Sequence, residues 1–211
     1  MIQNLVLIGL LLLTISGQAQ SDCVVKINKD SVRIRQCKVG DSRFKSIEAA
    51  FQVNSKLSQL AAMILDVEGH VTWEYKTINA RTLKKVSERE VIFYSEVAAP
   101  MLTSNRDFII QLKINQDAAT KVMTIDAVSL PNYLPAKENI VRIPYSKAHW
   151  IIKPIGKSKL DVVYTLEVDI GGAVPPWLAN LVSAQGPYET FKALREQIGN
   201  YRNKGASFIK D

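Results

Sequence analysis

Asp169-Ile170-Gly171-Gly172-Ala173-Val174-Pro175-Pro176-Trp177-Leu178-Ala179-Asn180 is where the chain changes period. Beyond it the apolar residues Trp177, Leu181, Ala184, Tyr188, Phe191, Leu194 and Ile198 recur at threes and fours. That spacing predicts a long amphipathic helix, with Pro175-Pro176 at its start and Gly199 near its end. Pro187 falls inside it and is expected to kink it or split it in two. Gly171-Gly172 permits backbone angles that other residues resist, which suits either a tight turn or a hinge before the helix.

Upstream the period is two. In Asp107-Phe108-Ile109-Ile110-Gln111-Leu112-Lys113-Ile114, the residues Phe108, Ile110, Leu112 and Ile114 share one face. Such alternation predicts a sheet with one buried face. Further strands are expected at 91–97, 121–129, 140–145, 149–153 and 161–168, with turns at 115–119 and 156–159. Residues 44–53 read as an earlier strand. Ser55 then caps a helix through Leu65, and a second short helix covers 68–73. A meandering antiparallel sheet followed by one long helix is an α+β arrangement, with the sheet curled round the helix. One helix leaves part of a wide curved sheet uncovered. The pattern is the same whether that space is packed or hollow.

The chain has 211 residues and a formal net charge of +7. Residues 1–19 contain no charged side chain, and an apolar run over 5–15 is followed by Gly17 and Ala19. This reads as a signal peptide cleaved after Ala19, with an uncleaved anchor as the alternative. The run is shorter than the roughly 20 apolar residues of a membrane span. A lipid-anchored form is disfavoured because Asp22 precedes Cys23. Residues 20–211 then form a single domain, and Ala19-Gln20 at the cut points to a bacterial periplasmic or secreted protein. The basic residues are spread along the chain, with no run longer than Lys84-Lys85. That suits a solvated surface or transient contact with an anionic membrane, and suggests no nucleic-acid partner.

Export gives Cys23 and Cys37 a meaning. Two short β-like runs flank a turn centred on Asp30, so the cysteines are expected to face each other across a hairpin spanning 23–39 and to form a structural disulfide.

Ser104-Asn105-Arg106-Asp107-Phe108 resembles the Arg-Asp-Phe signature of START domains, the steroidogenic-acute-regulatory-protein-related lipid-transfer fold. Trp73-Glu74, Val141-Arg142, Trp150 with Pro154, and 169–180 also fall in that family's order, so the resemblance runs over 44–198. It implies a helix-grip fold: a curved antiparallel sheet wrapped around the C-terminal helix, enclosing a hydrophobic tunnel. Arg106 and Asp107 are read as bonding exposed backbone and each other. The hairpin is a departure, since chains of this family often start with a helix. Some sterol-binding relatives place an acid and a base in the tunnel, and the matching positions here are Phe93 and Leu112.

The resemblance also orients the walls. It turns Phe108, Ile110 and Leu112 inward, with Phe93 and Val97 on the strand before. The same parity turns Val122, Thr124, Asp126 and Val128 inward on the strand after. Trp150, Ile152, Tyr164 and Leu166 complete the sheet side. The helix offers Ala184, Pro187, Phe191, Leu194 and Ile198, and Trp177 serves as core anchor or ligand contact. An inward Asp126 needs a partner, such as Arg142 or a ligand hydroxyl or amine, unless it sits at a strand end open to water.

The function implied is binding of a lipid or similar hydrophobic ligand, by a monomer without cofactor or metal. Lys192 and Arg195 would bring the helix to a bilayer. Two alternatives are a filled-core interaction module and a cyclase or hydrolase of the same architecture. His70 and His149 are the histidines, and neither sits in a nucleophile motif. Enzymatic activity is therefore not expected.

Overall fold

The computed structural model describes residues 23–38, 45–99, 104–169 and 176–211, with side chains in the last segment from Ala184 onward. The expected signal segment and the Gly171-Gly172 turn lie outside these residues, as does the side chain of Trp177.

Among the described residues, ten strands form one sheet. They are β1 (Cys23–Lys29), β2 (Val32–Lys38), β3 (Lys45–Val53), β4 (Thr77–Ser87), β5 (Glu90–Val97), β6 (Asn105–Gln116), β7 (Met123–Ser129), β8 (Ile140–Arg142), β9 (Tyr145–Gly156) and β10 (Lys159–Asp169). Their order is β1-β2-β3-β10-β9-β7-β6-β5-β4, and β8 runs parallel to the start of β6. The other pairings are antiparallel, and the sheet is not closed. Helix α1 (Leu57–Leu65) and a 3-10 turn (Val67–Thr72) link β3 to β4, while α2 (Pro176–Gln197) packs against β1, β2 and β3.

Several expectations are corrected. Strand β4 occupies a stretch between the short helix and the 91–97 strand for which no element is expected. The short helix at 68–73 is a 3-10 turn over Val67–Thr72. Ser55 does not cap α1: its hydroxyl donates to the Lys56 carbonyl at 2.9 Å, and Lys56 occupies the cap position. Pro187 neither ends nor splits α2, which is continuous through it. The missing N–H of Pro187 forgoes one backbone bond. Burial of Ala184, Tyr188, Phe191 and Leu194 offsets that loss.

The alternation in β6 holds for Leu112 and Ile114, yet Ile109 on the opposite face is fully buried too. Residues 130–134 lie over the outer face, where Leu130 and Leu134 cover Ile92, Tyr94 and Ile109. On the inner face Met123 sits opposite Ile152, and Ile152 opposite Val162. These residues, with Ile114, Ile125 and Leu160, belong to the same packed core as Leu194, Ile198 and α1. One end of the sheet is therefore filled.

The expected hairpin is present, and a β-bulge sets its register. Lys29 faces Val32 across Asp30 and Ser31, whose φ angles of 51° and 57° suit a type I′ turn. The register shifts between Val25 and Ile27, and that extra residue brings Cys23 opposite Cys37. The two are disulfide-bonded with a Cα–Cα distance of 4.0 Å. The hairpin tip docks on α2: the Tyr188 hydroxyl donates to the Asp30 carboxylate, and Arg195 donates to the Asp30 carbonyl.

Candidate functional site

At the other end of the sheet the inner face is hollow. A cavity of about 280 Å³ is bounded by Phe93, Ser95 and Val97 of β5 and by Phe108, Ile110 and Leu112 of β6. Ala127 of β7, Ser146, Ala148 and Trp150 of β9, and Tyr164 and Leu166 of β10 continue the wall. The turn at 73–77 and Gly186, Pro187, Thr190 and Phe191 of α2 complete it. Two causes of the space are visible. Ala127 and Ala148 face each other in register, so the centre of the wall carries only methyl groups. Trp150, Tyr164 and Phe191 meet edge to face, with centroids 4.9 to 5.4 Å apart, and form a rigid floor between cavity and packed core.

Ten of the residues expected to line a tunnel come together here: Phe93, Val97, Phe108, Ile110, Leu112, Trp150, Tyr164, Leu166, Pro187 and Phe191. Ile152, Ala184, Leu194 and Ile198 are buried in the packed core instead.

Val122, Thr124, Asp126 and Val128 are corrected. Leu112 pairs with Ala127 and Ile114 with Ile125. Residues directly opposite share a face, so the odd-numbered residues of β7 point inward and Thr124, Asp126 and Val128 outward. Val122 precedes the strand, and its carbonyl accepts from Asp117. Asp126 is about half-exposed, with its Oδ1 2.7 Å from His149 Nδ1. Its partner is therefore His149 rather than Arg142, and it stands open to water on the face away from the cavity. The expected Arg106–Asp107 pair is also absent: Arg106 donates to the Ser104 carbonyl, and buried Asp107 is held by Arg142 at 2.7 Å.

The polar side of the cavity is the part that periodicity does not announce. Thr77, Ser95 and Ser146 are buried, and their hydroxyls have no partner among the described residues. Ser95 lies between Phe93 and Val97 on the same face, so its inward direction follows from alternation. Thr77 lies on the unforeseen β4. Glu74 lines the cavity and its Oε1 is 3.2 Å from Nδ1 of fully buried His70. His70 Nε2 meets the Ile64 carbonyl at 2.9 Å, which fixes a hydrogen on that nitrogen. A neutral ring would then turn its Nδ1 lone pair toward the carboxylate. Burial pulls the His70 pKa down, but Glu74 and the Ile64 carbonyl prevail, and it is raised above the usual histidine value. Burial, helped by Glu74, likewise pushes the Tyr164 phenol up. Its hydroxyl has no partner among the described residues.

No group of three or more His, Cys, Asp or Glu among the described residues is placed to hold a metal, and no described helix is long and apolar enough to cross a membrane. Lys192 and Arg195 border a separate polar groove with Lys159, Asp30 and Glu196.

The model of the START domain family matches residues 13–204. The chain belongs to the START domain family. This START domain is 26% identical over 169 residues to an uncharacterized protein of Pseudomonas aeruginosa, covering 80% of this chain and 82% of that one. It is 24% identical over 149 residues to the phosphatidylcholine transfer protein of Mus musculus, covering 69% and 68% of the two chains. The crystal structure of a STAR-related lipid transfer protein from Xanthomonas axonopodis superposes with a TM-score of 0.77 at 24% identity, over 84% of this chain and 99% of that one. That superposition supports the open curved sheet and C-terminal helix.

Proposed function

We propose that this START domain binds a lipid or other hydrophobic ligand in the cavity beneath α2 and shields it while it crosses an aqueous compartment outside the cytoplasm. The observation that carries the reading is the cavity itself, with apolar walls on β5, β6, β9 and β10 and a helix for a roof. Each enclosed methylene contributes roughly 0.8 kcal/mol, so such walls retain a ligand without any charge pairing. Family membership, and likeness to proteins named for lipid transfer, support it. The uncharged N-terminal segment and the Cys23–Cys37 bridge support export. The basic surface suits passing contact with an anionic bilayer.

The arrangement favours binding over catalysis. His149 and Asp126 form a pair on the outer face, turned away from the cavity, and His70 is committed to Ile64 and Glu74.

The test is native mass spectrometry of the protein purified from its own compartment, followed by organic extraction. A stoichiometric lipid is expected. Protein that is empty and takes up no phospholipid, sterol-like molecule or fatty alcohol would sink the proposal.

A further inference from the structure

We infer that the cavity selects a single-chain lipid whose polar group forms hydrogen bonds and carries no negative charge, so that a long-chain alcohol or monoacylglycerol is taken and the matching fatty-acid anion refused. The inference rests on the binding reading above and adds the class of headgroup.

Three observations meet. First, the residues lining the cavity include no Lys, Arg or His, and the charged one is Glu74. An anionic headgroup would be desolvated beside a carboxylate, with no cation in the described wall to receive it. Second, the wall is not uniformly apolar. Thr77 and Ser95 lie on adjacent strands, diagonal across the β4–β5 pairing in which Thr77 faces Val97. Their hydroxyls have no partner among the described residues, nor has that of Tyr164, and the Glu74 carbonyl accepts from the Thr77 amide at 3.1 Å. Hydroxyls both donate and accept, so an uncharged hydroxyl head finds partners on this wall. Third, the volume is small. At about 280 Å³ the cavity lies just below the range of roughly 300–1,000 Å³ usual for ligand pockets. That suits one chain of moderate length rather than two.

The cavity therefore has an apolar floor at Trp150 and Phe191 and a hydrogen-bonding wall at Thr77, Ser95 and Tyr164, with Glu74 as the gate against anions.

The experiment is competition for uncharged Nile red by 1-dodecanol, monododecanoylglycerol and dodecanoate at about pH 7.5, where the last is ionised. Dodecanol and the glyceride should displace the dye at concentrations at least about tenfold below dodecanoate. Glu74→Gln should narrow that gap by improving dodecanoate. Thr77→Val with Ser95→Ala should raise the concentrations of dodecanol and the glyceride needed to displace the dye. Dye uptake with dodecanoate equal to or better than dodecanol overturns the headgroup assignment alone, as does a gap unmoved by Glu74→Gln. Failure to take up the dye or any of the three compounds overturns the binding reading and this inference with it.

Discussion

The Arg142 guanidinium meets both carboxylate oxygens of Asp107, at 2.7 and 3.0 Å. It gives further N–H groups to the carbonyls of Pro131, Leu134 and Pro135 at 2.7, 3.0 and 3.2 Å. One side chain thus ties the start of β6, strand β8 and the segment that covers the outer face of the sheet. Removing one partner of a buried pair leaves the other charge uncompensated, at a cost of roughly 3–5 kcal/mol. Asp107→Asn and Arg142→Met should each lower the unfolding free energy measured by urea titration by an amount of that order. The double variant should recover part of the loss, because no lone charge remains. Fully additive losses would show that the two residues do not act as a pair.

That pair also marks the limit of what can be read from the chain. The Arg-Asp-Phe motif is plain in sequence, but neighbouring residues on a strand point to opposite faces. Arg106 is thereby excluded as the partner of Asp107, and the true partner lies 35 residues away. The inward face of β6 is legible because Leu112 and Ile114 alternate with Gln111, Lys113 and Asn115. The inward face of β7 is not: Val122-Met123-Thr124-Ile125 has apolar residues at both parities, and only pairing with β6 decides between them. Strand β4 hides because it is a sheet edge with Ala80 and Thr77 as its buried residues, and Lys84-Lys85 breaks its pattern. Long-range registry, rather than local preference, carries the missing information.

His70 links stability to pH. Its folded pKa is raised, so protonation favours the folded state. The contribution is fully present below the unfolded value near 6.5 and is lost as pH climbs through the higher folded value. The groups that raise it are Glu74, the Ile64 carbonyl and Asp66, against burial. Urea midpoints should therefore fall as the pH rises above about 6.5, and the fall should vanish in His70→Gln. Glu74→Gln should flatten it, since burial then acts with less opposition. A slope unchanged in His70→Gln would assign the dependence to other groups.

The disulfide should matter locally before it matters globally. β1 is the outermost strand, with Val24 and Val25 more than half exposed, and it pairs with β2 alone. Closing a loop of about 15 residues stabilises by roughly 3 kcal/mol in the chain-entropy account. Cys23→Ser with Cys37→Ser should lower the unfolding midpoint accordingly. It should also speed amide exchange in β1 while β9 and β10 stay protected. Equal acceleration across the whole sheet would instead place the hairpin at the centre of folding cooperativity.

Ala127 and Ala148 give the most direct handle on the cavity. They oppose each other in register on its wall, so a larger side chain at either position grows into space that is already empty. Ala148→Leu adds apolar surface there, and filling a void stabilises by up to about 2 kcal/mol unless neighbouring rings are forced off their rotamers. The expected outcome is a protein as stable as the parent or more so, with Nile red uptake reduced by at least about tenfold. Thr124→Val is the matched control, since Thr124 lies one residue from Ile125 on the opposite face of β7. It should leave uptake unchanged. Equal loss in both variants would mean that uptake reports general loosening of the sheet. Full uptake in a stable Ala148→Leu protein would place the ligand somewhere other than this cavity.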